Sequence, residues 1–276
     1  MAEKPFKADP AYLVPIVASL AVGILCSFLF YYTEVKLEPI TPAPEEGLGP
    51  MSNALFFVLM MAAGATIMYF LLKRKGVFSL KLIIGTALIL ISFFLSLIYF
   101  DLLFYTLRLA VDLRILFLIA FVTAFLAVIS VFKFGKLQRG IVVLLVGGGL
   151  GAFLGVTIPT LSAILILAAL AIYDILAVYR GPVGKLAQEG LEKLPGVSLE
   201  FKDVHIGLGD LTFYSMLVGH ALTNFGWNAC ILSSVGVLIG SYLSFKFLEK
   251  KGMFPGLPIP LSLGLTLMFI SSFFGV

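Results

Sequence analysis

The chain is a succession of apolar runs, each close to the length that crosses a bilayer as one helix. A hydrocarbon core of about 30 Å takes about 20 helical residues. Nine stretches approach that length: 11–32, 54–72, 80–100, 113–132, 141–157, 160–179, 207–222, 229–248 and 257–275. With 61% hydrophobic and 12% charged residues and a mean hydropathy of +1.11, too little polar surface remains to cover a soluble domain. The chain therefore reads as an all-α polytopic membrane protein with nine transmembrane helices. The first run is longer than a signal-peptide core and no small-residue cleavage pattern follows it, so it reads as a lasting helix. Only VTIPT around Pro159 separates the fifth and sixth runs, which read as a hairpin.

Loop charges orient the spans, because Lys and Arg gather on the cytoplasmic side. With a cytoplasmic N-terminus, the inner segments hold Lys4 and Lys7; Lys73, Arg74, Lys75 and Lys81; Lys133, Lys136 and Arg139; Arg180, Lys185, Lys193 and Lys202; and Lys246, Lys250 and Lys251. That is sixteen of the 19 basic residues, and only Lys36, Arg108 and Arg114 fall outside. The C-terminus is then extracellular and the cell membrane is the expected location. These residues sit in short loops and form no stripe, so the net charge of +4 is a topology signal and points to the lipid bilayer rather than nucleic acid.

Two connections are longer. TEVKLEPITPAPEEGLGPMSN lies outside and RGPVGKLAQEGLEKLPGVSLEFKDVH inside; both read as mobile linkers in part, the second with room for a short amphipathic helix over Lys185 to Leu194. No repeat stands out, so residues 1–276 read as one membrane domain. Within it, 1–157 supply five scaffold helices, and 158–276 supply helices six to nine with a cytoplasmic loop at about 180–206. Cys26 and Cys230 sit in apolar runs and imply neither a disulfide framework nor a metal site.

Nearly all of the 15 carboxylates can be placed in loops or at span ends. Asp174 and Asp210 cannot, and an Asp within a span costs about 2.5 to 3.5 kcal/mol on insertion scales, so it marks function. Asp101 reads as a boundary residue. Asp174 lies about 9 Å from the inner end of the sixth span and Asp210 about 6 Å from that of the seventh, so both reach one level. Gly207 and Gly209 are expected to allow close backbone approach between these neighbouring helices. Two aspartates at one buried level suit the chemistry of an aspartic protease, with one carboxylate as base toward water and one carboxyl polarising the amide. A proton-coupled transporter is the competing reading, since membrane carboxylates also relay charge. Such proteins show repeats and interrupted helices in both halves, which this sequence lacks.

The segments YDILAVYRGP and GLGD with LTFYSMLVGHA resemble those of the presenilin family of intramembrane aspartyl proteases, whose signatures are Tyr-Asp in the sixth helix and Gly-x-Gly-Asp in the seventh. The family's Pro-Ala-Leu stretch has its counterpart in Pro255, Gly256 and Leu257, with Gly in place of Ala. The resemblance covers the last 110 or so residues. It implies an intramembrane endopeptidase in which Asp174 and Asp210 are catalytic, and Tyr173, Gly207, Leu208, Gly209, Pro255, Gly256 and Leu257 position substrate. It implies transmembrane helical substrates, no cofactor or metal, and a single-chain prokaryotic (archaeal) homologue without accessory subunits; homo-oligomers are left open. The related signal peptide peptidases are expected in the opposite orientation. The prepilin peptidases share Gly-x-Gly-Asp but not the Pro-Gly-Leu stretch. The short inner loop speaks against self-cleavage.

Three prolines within PGLPIP remove backbone donors, so an extended segment that could pair with an unwound substrate is expected there, against the alternative of a plain helix start. Gly147, Gly151 and Gly155 recur at the spacing of a helix-packing face, and GGGLG lacks the Lys and Ser or Thr of a phosphate loop. His205 and His220 have no metal-ligand company. Trp227 reads as an outer-interface anchor.

Overall fold

A computed structural model describes residues 7–35, 37–74, 76–181, 195–251 and 254–274. The amphipathic helix expected over 185–194 lies outside the described residues. A single 3-10 turn, Pro10–Leu13, is capped by Asp9, whose carboxylate accepts from the Ala11 amide at 2.9 Å. Among the described residues nine α-helices follow: α1 (Val14–Thr33), α2 (Gly49–Lys73), α3 (Val77–Thr106), α4 (Leu113–Lys133), α5 (Lys136–Thr157), α6 (Thr160–Tyr179), α7 (Leu208–Phe225), α8 (Trp227–Lys251) and α9 (Pro258–Phe274). Seven of them, α1 to α6 and α8, are long and apolar enough to cross a membrane. Helix α9 is a shorter apolar helix, and α7 has the length but not the apolarity.

The reason lies in packing. Helix α7 is the centre of the molecule, set against α5, α1 and α8, and every residue from Leu211 to Leu222 is buried. A helix walled by protein has no need of lipid-compatible side chains. Its closest neighbour is α5, and the glycine face read from the sequence makes that contact. A Cβ on Gly151 would stand 2.3 Å from the Thr212 carbonyl oxygen, and one on Gly155 2.5 Å from that of Met216. Gly147 faces Leu211 in the same row. Backbone thus lies directly on backbone, a contact only glycine permits. Gly148, on another face of α5, does the same toward Ser19 of α1. Helices α8 and α9 form a tight pair through Gly236, Gly240 and Gly264.

The described parts of the two longer connections make defined contacts. On one side, Glu45 caps α6: its carboxylate accepts from the Leu161 and Ser162 amides at 2.6 and 3.2 Å and from the Ser162 hydroxyl at 2.7 Å. Helix α6 begins after Pro159, which offers no side-chain cap, so these amides need an acceptor from elsewhere. Asn53 of α2 joins the same cluster, donating to Ser162 Oγ at 3.0 Å and closing on Ala43 at 2.9 Å.

On the other side, residues 198–207 form an antiparallel hairpin, β1 (Ser198–Phe201) with β2 (Val204–Gly207), registered Leu199 to Ile206 and Glu200 to His205. Leu199, Val204 and Ile206 are buried, while His205 stays exposed. Glu200 pairs with Lys136 at the start of α5, and that contact holds its carboxyl below the usual range. The hairpin is clasped to the N-terminal turn, with Tyr12 Oη donating to Asp203 at 3.4 Å and Lys202 Nζ 3.8 Å from Asp9. Strand β2 runs straight into α7, so the hairpin sets where that helix begins.

Candidate active site

Asp210 is the third residue of α7 and Asp174 the sixth from the end of α6. Helix starts and ends meet at one level, and both side chains are partly buried there. Each carboxylate lies within electrostatic reach of the other. The expected means of bringing them together is corrected, however. Helix α6 lies chiefly on α2, and α7 on α5, so the two touch only sparsely. Gly209 is not a packing glycine: a Cβ there would meet only the Phe213 ring edge, at 3.9 Å. Gly207 likewise faces the Asp210 carboxylate, at 3.6 Å, rather than a neighbouring helix. These glycines leave open room beside the carboxylate.

The link between the aspartates is the segment just before α9. The Leu257 amide donates to Asp174 Oδ2 at 3.0 Å. Gly256 lies against Asp210, so closely that a Cβ would stand 2.6 Å from Oδ2. Pro255 and Leu257 are buried beneath, anchoring the turn. The extended stretch is shorter than the three prolines implied. Helix α9 starts at Pro258 and includes Pro260, because the first turn of a helix has no intrahelical partner for its amides and tolerates prolines that lack them. Of the PGLPIP stretch, residues 255–257 precede the helix and 258–260 lie within it.

The remaining site residues fall nearby. Leu208 opens α7 and its amide donates to the Val197 carbonyl at 2.8 Å, locking the helix start to the hairpin. The Tyr173 hydroxyl is enclosed without a hydrogen-bond partner among the described residues. Tyr214 was not singled out by the sequence, yet its hydroxyl donates to the Gly256 carbonyl at 2.7 Å. The signal that could have found it is its place four residues after Asp210, on the same face of one helix. His220 is away from the pair; its Nδ1 meets the Gly155 carbonyl at 2.8 Å. Asp101 is exposed on α3, in line with a boundary position. Trp227 opens α8 and packs on Phe28 and Tyr31 of α1.

Two helix-borne carboxylates thus meet at one proline-flanked turn. In fold, the chain superposes on a presenilin family intramembrane aspartate protease solved in the C222 space group, with a TM-score of 0.69, 18% identity, and coverage of 96% of this chain and 98% of that one. The same description in the P2 space group gives 0.65, 19%, 96% and 97%. In sequence, the family model described as Presenilin matches residues 184–275. Presenilin-B of Dictyostelium discoideum is 33% identical over 131 residues, 42% of this chain and 27% of that protein. Presenilin sel-12 of Caenorhabditis elegans is 41% identical over 71 residues, 25% of this chain and 16% of that one. The matches thus span about a quarter or less of those relatives. The chain is thus similar to presenilins by sequence in its C-terminal part, and over nearly all its length it shares the fold of those two solved structures.

Proposed function

We propose that this protein is an intramembrane aspartic endopeptidase that hydrolyses peptide bonds within transmembrane helices of other membrane proteins, using Asp174 and Asp210 as its catalytic pair. The observation that carries the reading is the convergence of both carboxylates, from two separate helices, on the single turn at Gly256 and Leu257. The two carboxylates share one proton, since like charges this close cannot both form cheaply. The ionised member takes a proton from water as its oxygen attacks the amide carbon; the protonated member gives its proton to the carbonyl oxygen, producing a gem-diol. Collapse of the gem-diol returns a proton to the departing nitrogen and breaks the C–N bond.

All nine helices cross the bilayer in this reading, with the N-terminus cytoplasmic, the C-terminus outside and the carboxylates nearer the inner face. Helices α1–α5 act as scaffold and the rest as the catalytic part of one membrane domain, in the cell membrane. Tyr173, Gly207, Leu208, Gly209 and the Pro255–Leu257 turn border the substrate. The open room at Gly209 supports close approach of a peptide backbone, and the enclosed Tyr173 hydroxyl has a donor to offer it. No accessory subunit or cofactor is required.

The test is to incubate the purified chain in detergent with a single-span membrane substrate. Cleavage within the apolar segment is expected, with Asp174→Asn and Asp210→Asn each lowering it by about 10²- to 10⁴-fold. A gem-diol mimic should inhibit. Cleavage that persists in either variant would overturn the assignment.

A further inference from the structure

The Gly256 carbonyl and the Leu257 amide belong to one and the same peptide group. Its oxygen accepts from Tyr214 of α7 at 2.7 Å, and its nitrogen donates to Asp174 of α6 at 3.0 Å. The Cα that begins this group is Gly256, against which the Asp210 carboxylate rests. A peptide group is planar and stiff. A single rigid plate therefore spans two helices that otherwise barely touch, with one catalytic side chain at its edge and the other at its corner.

We infer that Tyr214 is a positioning residue for the catalytic pair, holding the Gly256–Leu257 peptide plane in the orientation that fixes Asp174 relative to Asp210. Three observations carry this. First, Tyr214 is buried, with 3% of its surface exposed, so its hydroxyl is shielded from competition by water. Second, among the described residues Tyr214 makes the one hydrogen bond from α7 to the plate, and the plate follows a glycine, whose backbone torsions are the least restricted of any residue. Third, the Ser241 hydroxyl beside Tyr214 donates to the Val237 carbonyl of its own helix at 2.8 Å, not to the Gly256 carbonyl. Donation to the carbonyl also polarises the peptide and strengthens its N–H toward Asp174. Without the hydroxyl, a buried carbonyl loses its partner and the plane turns to find another, taking the amide away from Asp174.

The inference rests on the aspartic-protease reading, and the experiment separates the two. Tyr214→Phe keeps the ring and removes the donor. With the purified protein and a single-span substrate, kcat should fall about 10- to 100-fold with KM within twofold, since misplacement of a catalytic group by a fraction of an ångström acts on the chemical step. Replacing Tyr214 by 4-aminophenylalanine, which keeps an N–H donor at the same place, should restore most of the lost rate. A readout independent of turnover is amide hydrogen exchange. Between Pro255 and Pro260 only Gly256, Leu257 and Ile259 carry amide protons, so a peptide over this segment reads three amides, of which that of Leu257 is the plate's own. Exchange there should quicken in Tyr214→Phe while that of α5 is unchanged. Unaltered kcat and exchange in Tyr214→Phe, a change in KM alone, or a 4-aminophenylalanine variant as slow as the Phe variant would each overturn the role. Wild-type cleavage surviving in Asp174→Asn or Asp210→Asn would instead remove the protease reading and this inference with it.

Discussion

Helix α2 buries five of its 25 residues, whereas α7 buries twelve in an unbroken row among its 18. The first is apolar beyond its opening turn and turns Leu55, Leu59 and Met60 outward. The second carries Asp210, Ser215 and His220 and still occupies the middle of the bundle. In lipid, apolar surface gains nothing by leaving the hydrocarbon, so α2 can stand at the edge with few contacts. A helix with polar groups must be walled in by protein that satisfies them, and its packing then depends on how close its neighbours can come. The helix least suited to lipid by composition is the one best held, and it carries half of the candidate chemistry.

The sharpest way to break this comparison is to place the same side chain on glycines at the two ends of it. Gly155→Val drives methyl groups into backbone atoms of α7, where even a single Cβ would lie 2.5 Å from an oxygen. Backbone cannot step aside, so stability should fall by about 3 kcal/mol or more, read as a lowered unfolding temperature in detergent. A normal melting curve would mean that α5 and α7 do not meet on this face. Gly256→Ala probes the site end of α7. Its methyl would crowd Asp210 Oδ2, so the carboxylate must swing off the turn. Cleavage should drop about tenfold with little change in melting. Equal activity would show that Asp210 is free to rest elsewhere. The smallest effect is expected for Gly64→Val in α2, where a Cβ meets nothing within 4 Å. Stability should stay within about 0.5 kcal/mol of the parent chain. A loss comparable to that of Gly155→Val would end the distinction between the two helices.

Much of this was legible beforehand. Each of the nine apolar runs has a helix among the described residues, with ends displaced by a few residues, and seven of those helices are long and apolar enough to cross a membrane, a run-length signal that tertiary context does not erase. Asp174 and Asp210 stood out for the same reason, as charges where hydrocarbon was expected. The glycine face of α5 showed in its spacing of four. What stayed hidden depends on tertiary contact. Tyr214 is one of 10 tyrosines in an aromatic-rich chain, and nothing marks it until the carbonyl it binds is located. That α6 and α7 would meet through a third segment, and not by packing, could not be read from their adjacency in the chain. The hairpin at 198–207 was concealed by its polarity, which resembles that of a linker.

The row Gly147, Gly151 and Gly155 has a mechanical meaning too. Side chains can tilt, compress and repack, but two backbones in contact have almost no compliance left. A bilayer that thickens or thins will be accommodated by tilting of the outer helices, α2 to α4. The spacing of α5 from α7 will not follow. The lead-in to Asp210 is therefore referenced to a contact that behaves as a hard stop, and the protein keeps one fixed dimension in a solvent whose own dimensions vary.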